Sequence, residues 1–195
     1  MDKPLGLILM GGKSRRMGRD KAGLVFHQLP QYLHLNHLLE NCGLKALLSL
    51  REEQLNELSS DKPYVLDAYG DAGPLGAILS AQDQYPQAAF LVIPCDMPRI
   101  DESLLRLLIQ NRKPKESQVC LFQHPSNHNP EPFPSIWEAS THSVLQKAVA
   151  KGNLGVKKLL QKFTLNQLYQ ADPHYFLNVN HPEEYRNFLD SELDD

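Results

Sequence analysis

Residues 5–10, LGLILM, are apolar at every position and run straight into two glycines, Gly11 and Gly12. A strand that is apolar on both faces has to be covered on both, which places it inside a parallel sheet flanked by helices. The same signature returns along the chain. KALLSL (45–50), AAFLVI (88–93) and QVCLF (118–122) read as strands, and PYVL (63–66) as a shorter one. Helical spacings lie between them. Tyr32, Leu35, Leu38, Leu39 and Cys42 share a face over 30–42, with Gly43 as the stop. EEQLNELSS (52–60) reads as helical. Pro74 suits the first turn of a helix through Leu75, Ile78 and Leu79. Asp101 suits the cap of another that turns Leu104, Leu105 and Leu108 inward. This alternation predicts an α/β, three-layer αβα architecture around a mostly parallel sheet.

The pattern changes at HPSNHNPEPFP (124–134), where four prolines fall in eleven residues. That composition predicts a loop or a boundary between subregions rather than a linker between independent domains. A helix-rich stretch (139–162), a strand candidate TLNQLY (164–169) and a last helix opened by Pro182 follow. The acidic tail, 190–195, is expected to fray. A chain of 195 residues is expected to form one domain, 1–195, with a core that needs no disulfide or metal staple. Cys42, Cys95 and Cys120 are odd in number and widely spaced, which argues against a disulfide framework and suits a reducing cytoplasm. The apolar runs fall well short of a membrane span, and no export signal is read at the start.

Net charge is −3, which gives no general attraction to nucleic acid or to a membrane surface. Its distribution is informative. KSRRMGRDK (13–21) sets Lys13, Arg15, Arg16, Arg19 and Lys21 against Asp20, a local +4 in an acidic chain. The glycine spacing fits neither a Walker A loop nor the dinucleotide fingerprint G-x-G-x-x-G. Two glycines alone make a sharp turn. Two glycines and five cations at the carboxyl end of a buried strand make an anion site, because bare backbone N–H groups approach phosphates closely and the cations add charge. A second strand, FLVIP, delivers Asp96 to the same edge of the sheet. A carboxylate there suits Mg²⁺, which takes one or two carboxylates and completes its shell with phosphate oxygens and water. The plainer reading makes Asp96 the cap of the turn at Met97 and Pro98.

Taken in order, these segments resemble the MobA family of molybdenum cofactor guanylyltransferases. LMGGKSRRMGRDK (9–21) is similar to the family's amino-terminal signature, with Met10 where Ala is usual. DAYGDAGPLGAI (67–78), PCDMP (94–98), EPFPSIW (131–137) and NVNHPEEY (178–185) resemble its later motifs, collinear over nearly the whole chain. The segment QHPSNHNPE (123–131) departs from the family's His-Asp-Gly, and Gln31 stands where Leu is usual.

The resemblance implies a Rossmann-like nucleotidyltransferase fold, with a GTP-binding half over about 1–122 and an acceptor-binding half over about 123–189. It implies transfer of GMP from GTP to the terminal phosphate of molybdopterin, with release of pyrophosphate and with Mg²⁺. Leu9, Met10, Gly11 and Gly12 would meet the base and ribose through backbone groups. Lys21 and Arg16 would meet phosphates. Ser49, Asp67 and Gly73 would line the nucleotide pocket. Asp96 would bind the metal, and Asn178 and Asn180 would lie near the joining phosphates, Asn180 as a second metal contact. Molybdoenzyme apoproteins and other cofactor-biosynthesis proteins are the implied partners. Two other readings compete: a nucleotidyltransferase of the same fold acting on a sugar- or alcohol-phosphate, and a non-catalytic nucleotide- or cofactor-binding partner. His34 and His37, and His124 and His128, fall short of a metal ligand set; Trp137 reads as core, and Lys157 and Lys158 as an exposed helix face.

Overall fold

The computed structural model describes residues 2–10, 23–55, 61–170 and 172–193. Nine strands and six α-helices follow one another among them. The main sheet holds β1 (Leu5–Leu9), β4 (Ala46–Leu50), β5 (Tyr64–Leu66), β6 (Phe90–Pro94), β7 (Val119–Gln123), β8 (Pro130–Trp137) and β9 (Leu165–Tyr169), in the order β5-β4-β1-β6-β8-β7-β9. Each neighbouring pair is parallel except the two that involve β8, which runs against β6 and β7. A small hairpin of β2 (Val25–His27) and β3 (Leu29–Pro30) stands beside it.

The central strands are buried along almost their whole length, and β4 at every residue. Helices supply the cover. α1 (Gln31–Asn41) packs on β1 and β4 and touches α3 (Glu102–Gln110). α2 (Pro74–Gln84) packs on β1 and β5 and touches α4 (His142–Ala150). The contact of α1 with the sheet is close because Gly6 has no side chain: a Cβ there would stand 2.5 Å from Leu39 Cδ1. Trp137 is fully buried, and its Nε1–H donates to Ser135 Oγ at 2.8 Å. Asp101 caps α3, its Oδ1 accepting from the Leu104 N–H at 2.8 Å. The short helix α5 (Val156–Leu160) lies against β8.

Three sequence expectations need correction. The proline-rich stretch is a loop only over its first part; from Pro130 it becomes β8, a full strand inside the sheet. The prolines are tolerated because β6 pairs only with 135–137, so the segment before them needs hydrogen bonds on one side alone, and a register shift lies beside it in β7. Within 52–60 the described residues form a 3₁₀ turn, Glu52–Leu55, rather than an α-helix, and 56–60 lie outside the described residues. The acidic tail stays helical through Leu193, as the end of α6 (Pro182–Leu193), and only 194–195 lie outside the described residues. Glu184 holds the start of α6, accepting from the N–H groups of Asn180 at 2.6 Å and His181 at 3.0 Å.

A second, smaller core joins Leu24 and Phe26 to Val179 and Phe188, with Tyr185 and Leu189 packed against it. It fixes the carboxyl-terminal segment onto the hairpin that follows residues 11–22. No helix among the described residues is long and apolar enough to cross a membrane.

Candidate active site

Parallel strands deliver their carboxyl ends to one edge of the sheet, and ligands of open α/β folds bind along that edge. A cleft of about 270 Å³ lies there. β1 contributes Leu9 and Met10, and β4 contributes Ser49 and Leu50 followed by Arg51 and Gln54. The turn after β5 contributes Asp67, Gly70, Asp71 and Gly73, and the start of α2 adds Pro74 and Ala77. Pro94 and Asp96, from the end of β6, close the far side. The cleft thus crosses four neighbouring strands, β5, β4, β1 and β6, which is three strand spacings or roughly 14 Å.

Among the residues singled out from sequence, Leu9, Met10, Ser49, Asp67, Gly73 and Asp96 all line this one cleft. Gly73 adopts a φ of 60°, a left-handed conformation that favours glycine, and it leads directly into Pro74 at the first turn of α2. Gly11, Gly12, Arg16 and Lys21 lie outside the described residues, as do the other cations of 13–21. Asn178 and Asn180 are not among the cleft-lining residues, yet they flank Val179, whose N–H donates to the Asp96 carbonyl at 2.7 Å. The Asn178 side chain in turn donates to the Phe176 carbonyl at 3.1 Å.

Arg51, Gln54 and Asp71 also line the cleft, and the sequence reading passed over them. A signal for Arg51 was present: it follows the apolar run KALLSL just as Asp96 follows FLVIP. The local structure holds the Arg51 backbone from two sides. Its N–H donates to Gln54 Oε1 at 3.1 Å, and its carbonyl accepts from the Gln54 N–H at 3.0 Å. Gln54 is itself buried.

Burial is the leading influence on the Asp67 carboxyl and pushes its pKa above the ordinary aspartate value. The Tyr69 N–H, the Ser80 hydroxyl and the Arg51 charge act the other way. The Ser80 contribution is weak on geometry: its single proton has the Gly76 carbonyl at 2.9 Å and Asp67 Oδ1 at 3.4 Å. The Tyr69 N–H, at 3.0 Å, is therefore the firm donor to Asp67. Asp96 is half-buried at the strand end, and no group of three or more His, Cys, Asp or Glu able to enclose a metal occurs among the described residues. Asp96 is the carboxylate at the β6 end of the cleft, and a hard cation held by one or two carboxylates takes its remaining ligands from phosphate and water.

Known proteins share both the sequence and the architecture. The sequence model of the MobA-like NTP transferase domain matches residues 6–173. The molybdenum cofactor biosynthesis bifunctional protein of Synechocystis sp. is 29% identical over 92% of this chain, which spans about half (52%) of that protein's length. The probable molybdenum cofactor guanylyltransferase of Flavobacterium johnsoniae is 28% identical, over 93% of this chain and 86% of its own. Among solved structures, the molybdopterin-guanine dinucleotide biosynthesis protein A of Archaeoglobus fulgidus superposes with a TM-score of 0.80 at 18% identity, covering 97% of this chain and 99% of that one.

Proposed function

We propose that this chain, which belongs to the family of MobA-like NTP transferase domains and is a nucleotidyltransferase, transfers GMP from GTP to the terminal phosphate of molybdopterin. Pyrophosphate leaves, and molybdopterin guanine dinucleotide forms. The cleft that runs without interruption from Arg51 and Asp67 to Asp96 carries this reading, supported by the guanylyltransferase name of the Flavobacterium johnsoniae relative. Residues 1–122 form the nucleotide half in this scheme and 123–189 the acceptor half.

An oxygen of the acceptor phosphate attacks the α-phosphorus of GTP, and the bond from that phosphorus to the β-bridging oxygen breaks. The attacking group is already anionic near neutral pH, so no general base and no protein nucleophile is needed. The obstacle is repulsion between polyanions. Two unit charges 4 Å apart interact by about 4 kcal/mol at an effective dielectric near 20, so the charge has to be offset where the phosphates meet. Lys21 and Arg16 supply cations from the basic segment. Asp96 would hold a Mg²⁺ ion, with Asn180 as a further oxygen donor. Bound there, the ion neutralises phosphate charge and orients the oxygens around it.

The protein's own contribution is position. Leu9, Met10, Gly11 and Gly12 offer backbone groups to base and ribose. Ser49, Asp67 and Gly73 shape the nucleotide end, and Asn178 and Asn180 face the acceptor phosphate. Holding the two substrates in line removes most of the entropy cost of a bimolecular step.

Thermal-shift titration with each nucleoside triphosphate and Mg²⁺, followed by pyrophosphate assay on mixing GTP with molybdopterin, tests this function. Selective stabilisation by GTP and release of pyrophosphate are expected. Selectivity for CTP or UTP would favour transfer to a sugar- or alcohol-phosphate. GTP binding without pyrophosphate release would favour a non-catalytic carrier.

A further inference from the structure

Arg51 and Asp67 stand side by side at the ends of two paired strands. Leu50 and Leu66 are register partners in β4 and β5, and the Asp67 N–H donates to the Leu50 carbonyl at 2.8 Å, so the next residue on each strand is a neighbour of the other. Both line the cleft at the side away from Asp96. The cleft therefore has a polarity: a donor next to an acceptor at one end, a carboxylate suited to a metal at the other.

The Arg51 guanidinium is incompletely satisfied. Its Nε is fully buried and has no hydrogen-bond partner among the described residues; the Glu53 Oε2 oxygen, 3.9 Å away, is too far to accept. A buried charged donor without an acceptor is costly. The Arg51 side chain as a whole is 25% exposed and lines the cleft, where a ligand acceptor can pair with the part of the fork that solvent reaches. A planar fork of donors matches two acceptors held side by side.

We propose that Arg51 is a specificity residue that reads the O6 and N7 acceptors of guanine, while neighbouring Asp67 faces the N1–H and N2 amine. This rests on GTP being the donor nucleotide. Guanine presents acceptor then donor along O6 and N1–H; adenine presents them in the reverse order, setting its N6 amine against the guanidinium. Pyrimidines lack the N7 acceptor altogether. The phosphates then extend toward Asp96, across the span of three strands. The contact resembles the bidentate arginine–guanine pairing of nucleic-acid recognition, in which the base itself fixes the geometry.

The test is nucleotide affinity by calorimetry, with Mg²⁺, for GTP, 7-deaza-GTP and 6-thio-GTP. Both analogues keep the N1–H and N2 amine; one lacks N7 and the other weakens the O6 acceptor. The wild-type chain is expected to bind each at least about tenfold more weakly than GTP. Arg51→Ala is expected to lose about tenfold to a hundredfold in GTP affinity and to bind all three within about twofold of one another. Arg51→Lys keeps the charge and the stem, and it is expected to fold, retain part of the GTP affinity and lose the discrimination against 7-deaza-GTP. If the wild-type chain prefers GTP over ATP and CTP but either variant keeps the full discrimination against both analogues, the role of Arg51 is overturned and the GTP reading stands. If the wild-type chain shows no preference for GTP, both are overturned together.

Discussion

The Val179 N–H donates to the Asp96 carbonyl at 2.7 Å, while the Val179 side chain, 1% exposed, lies in the small core with Leu24, Phe26 and Phe188. One residue thereby registers the carboxyl-terminal asparagines against the metal-suited strand end and against the hairpin that follows the basic segment. Val179→Pro, which removes the donor, is expected to lower guanylyl transfer at least about tenfold although Val179 has no reactive group. Val179→Ala keeps the donor and is expected to keep activity while losing about 2 kcal/mol of stability from the vacated core volume. Steady-state kinetics and urea unfolding of the two variants separate the effects; equal activity in both would refute the registering role.

Lys21→Ala and Asp96→Ala are each expected to reduce turnover by roughly two orders of magnitude or more. Both variants are expected to remain folded; Asp96 is half-buried and is not a member of the apolar core. Pyrophosphate release at saturating GTP and Mg²⁺ is the measurement. Near-normal turnover in either variant would contradict charge neutralisation as the source of catalysis.

Asp67 gives a prediction with a definite sign. Its folded-state pKa lies above the ordinary value, chiefly because of burial, so the folded chain holds that proton more tightly than the unfolded one. The associated stability is present below the unfolded aspartate pKa and is lost as pH rises through the raised folded value. At neutral pH the buried charge is a liability that Asp67→Asn removes while keeping an acceptor for the Tyr69 N–H. The variant is expected to melt a few degrees higher than wild type at pH 7, with the difference vanishing toward pH 3. GTP affinity should fall in the same variant, because an amide cannot match a carboxylate as the acceptor for two donors.

Arg112 and Glu138 form a forked pair, Nε to Oε1 and Nη2 to Oε2, both at 2.7 Å, and Nη1 also donates to the Asp2 carbonyl at 2.6 Å. Their side chains are 13% and 11% exposed. The pair joins the segment after α3 to the end of β8. Arg112→Ala leaves a nearly buried carboxylate unpaired and is expected to cost about 3 kcal/mol, or roughly 6–12 °C in melting temperature. The double variant Arg112→Met with Glu138→Leu should recover most of that loss. Differential scanning calorimetry distinguishes these cases, and a single variant with unchanged melting would remove the pair from the list of stabilising contacts.

The sheet was legible in the sequence where its strands are apolar on both faces: LGLILM and KALLSL each became a buried strand with parallel neighbours, and FLVIP a buried strand parallel to β1 and antiparallel to β8. Local capping chemistry was equally readable, as at Asp101. β8 was hidden because proline content argues for a loop, and only the three-dimensional arrangement reveals that its proline-bearing half needs partners on one side. The same limit applies to the site. Asp96 was legible because it comes just after an apolar run, and Ser49 and Asp67 were named only through the resemblance to the MobA family, whereas Asp71 sits inside a turn whose direction depends on Gly70 and Gly73 and the docking of α2. Arg51 offered a similar signal, a charge directly after a strand, and was passed over because its neighbour across the sheet, Asp67, shows only in the fold.

β8 enters the sheet where its neighbours leave it. The tip formed by His124 and Asn129, closed by the His124 N–H to the Asn129 carbonyl at 2.9 Å, therefore hangs on the same rim as Asp96. Exposed loop tips tolerate insertion and exchange better than the strands that carry them. A reversed strand thus hangs a replaceable fitting on the rim that carries Asp96, and change in that fitting leaves the parallel strands beneath it as they are.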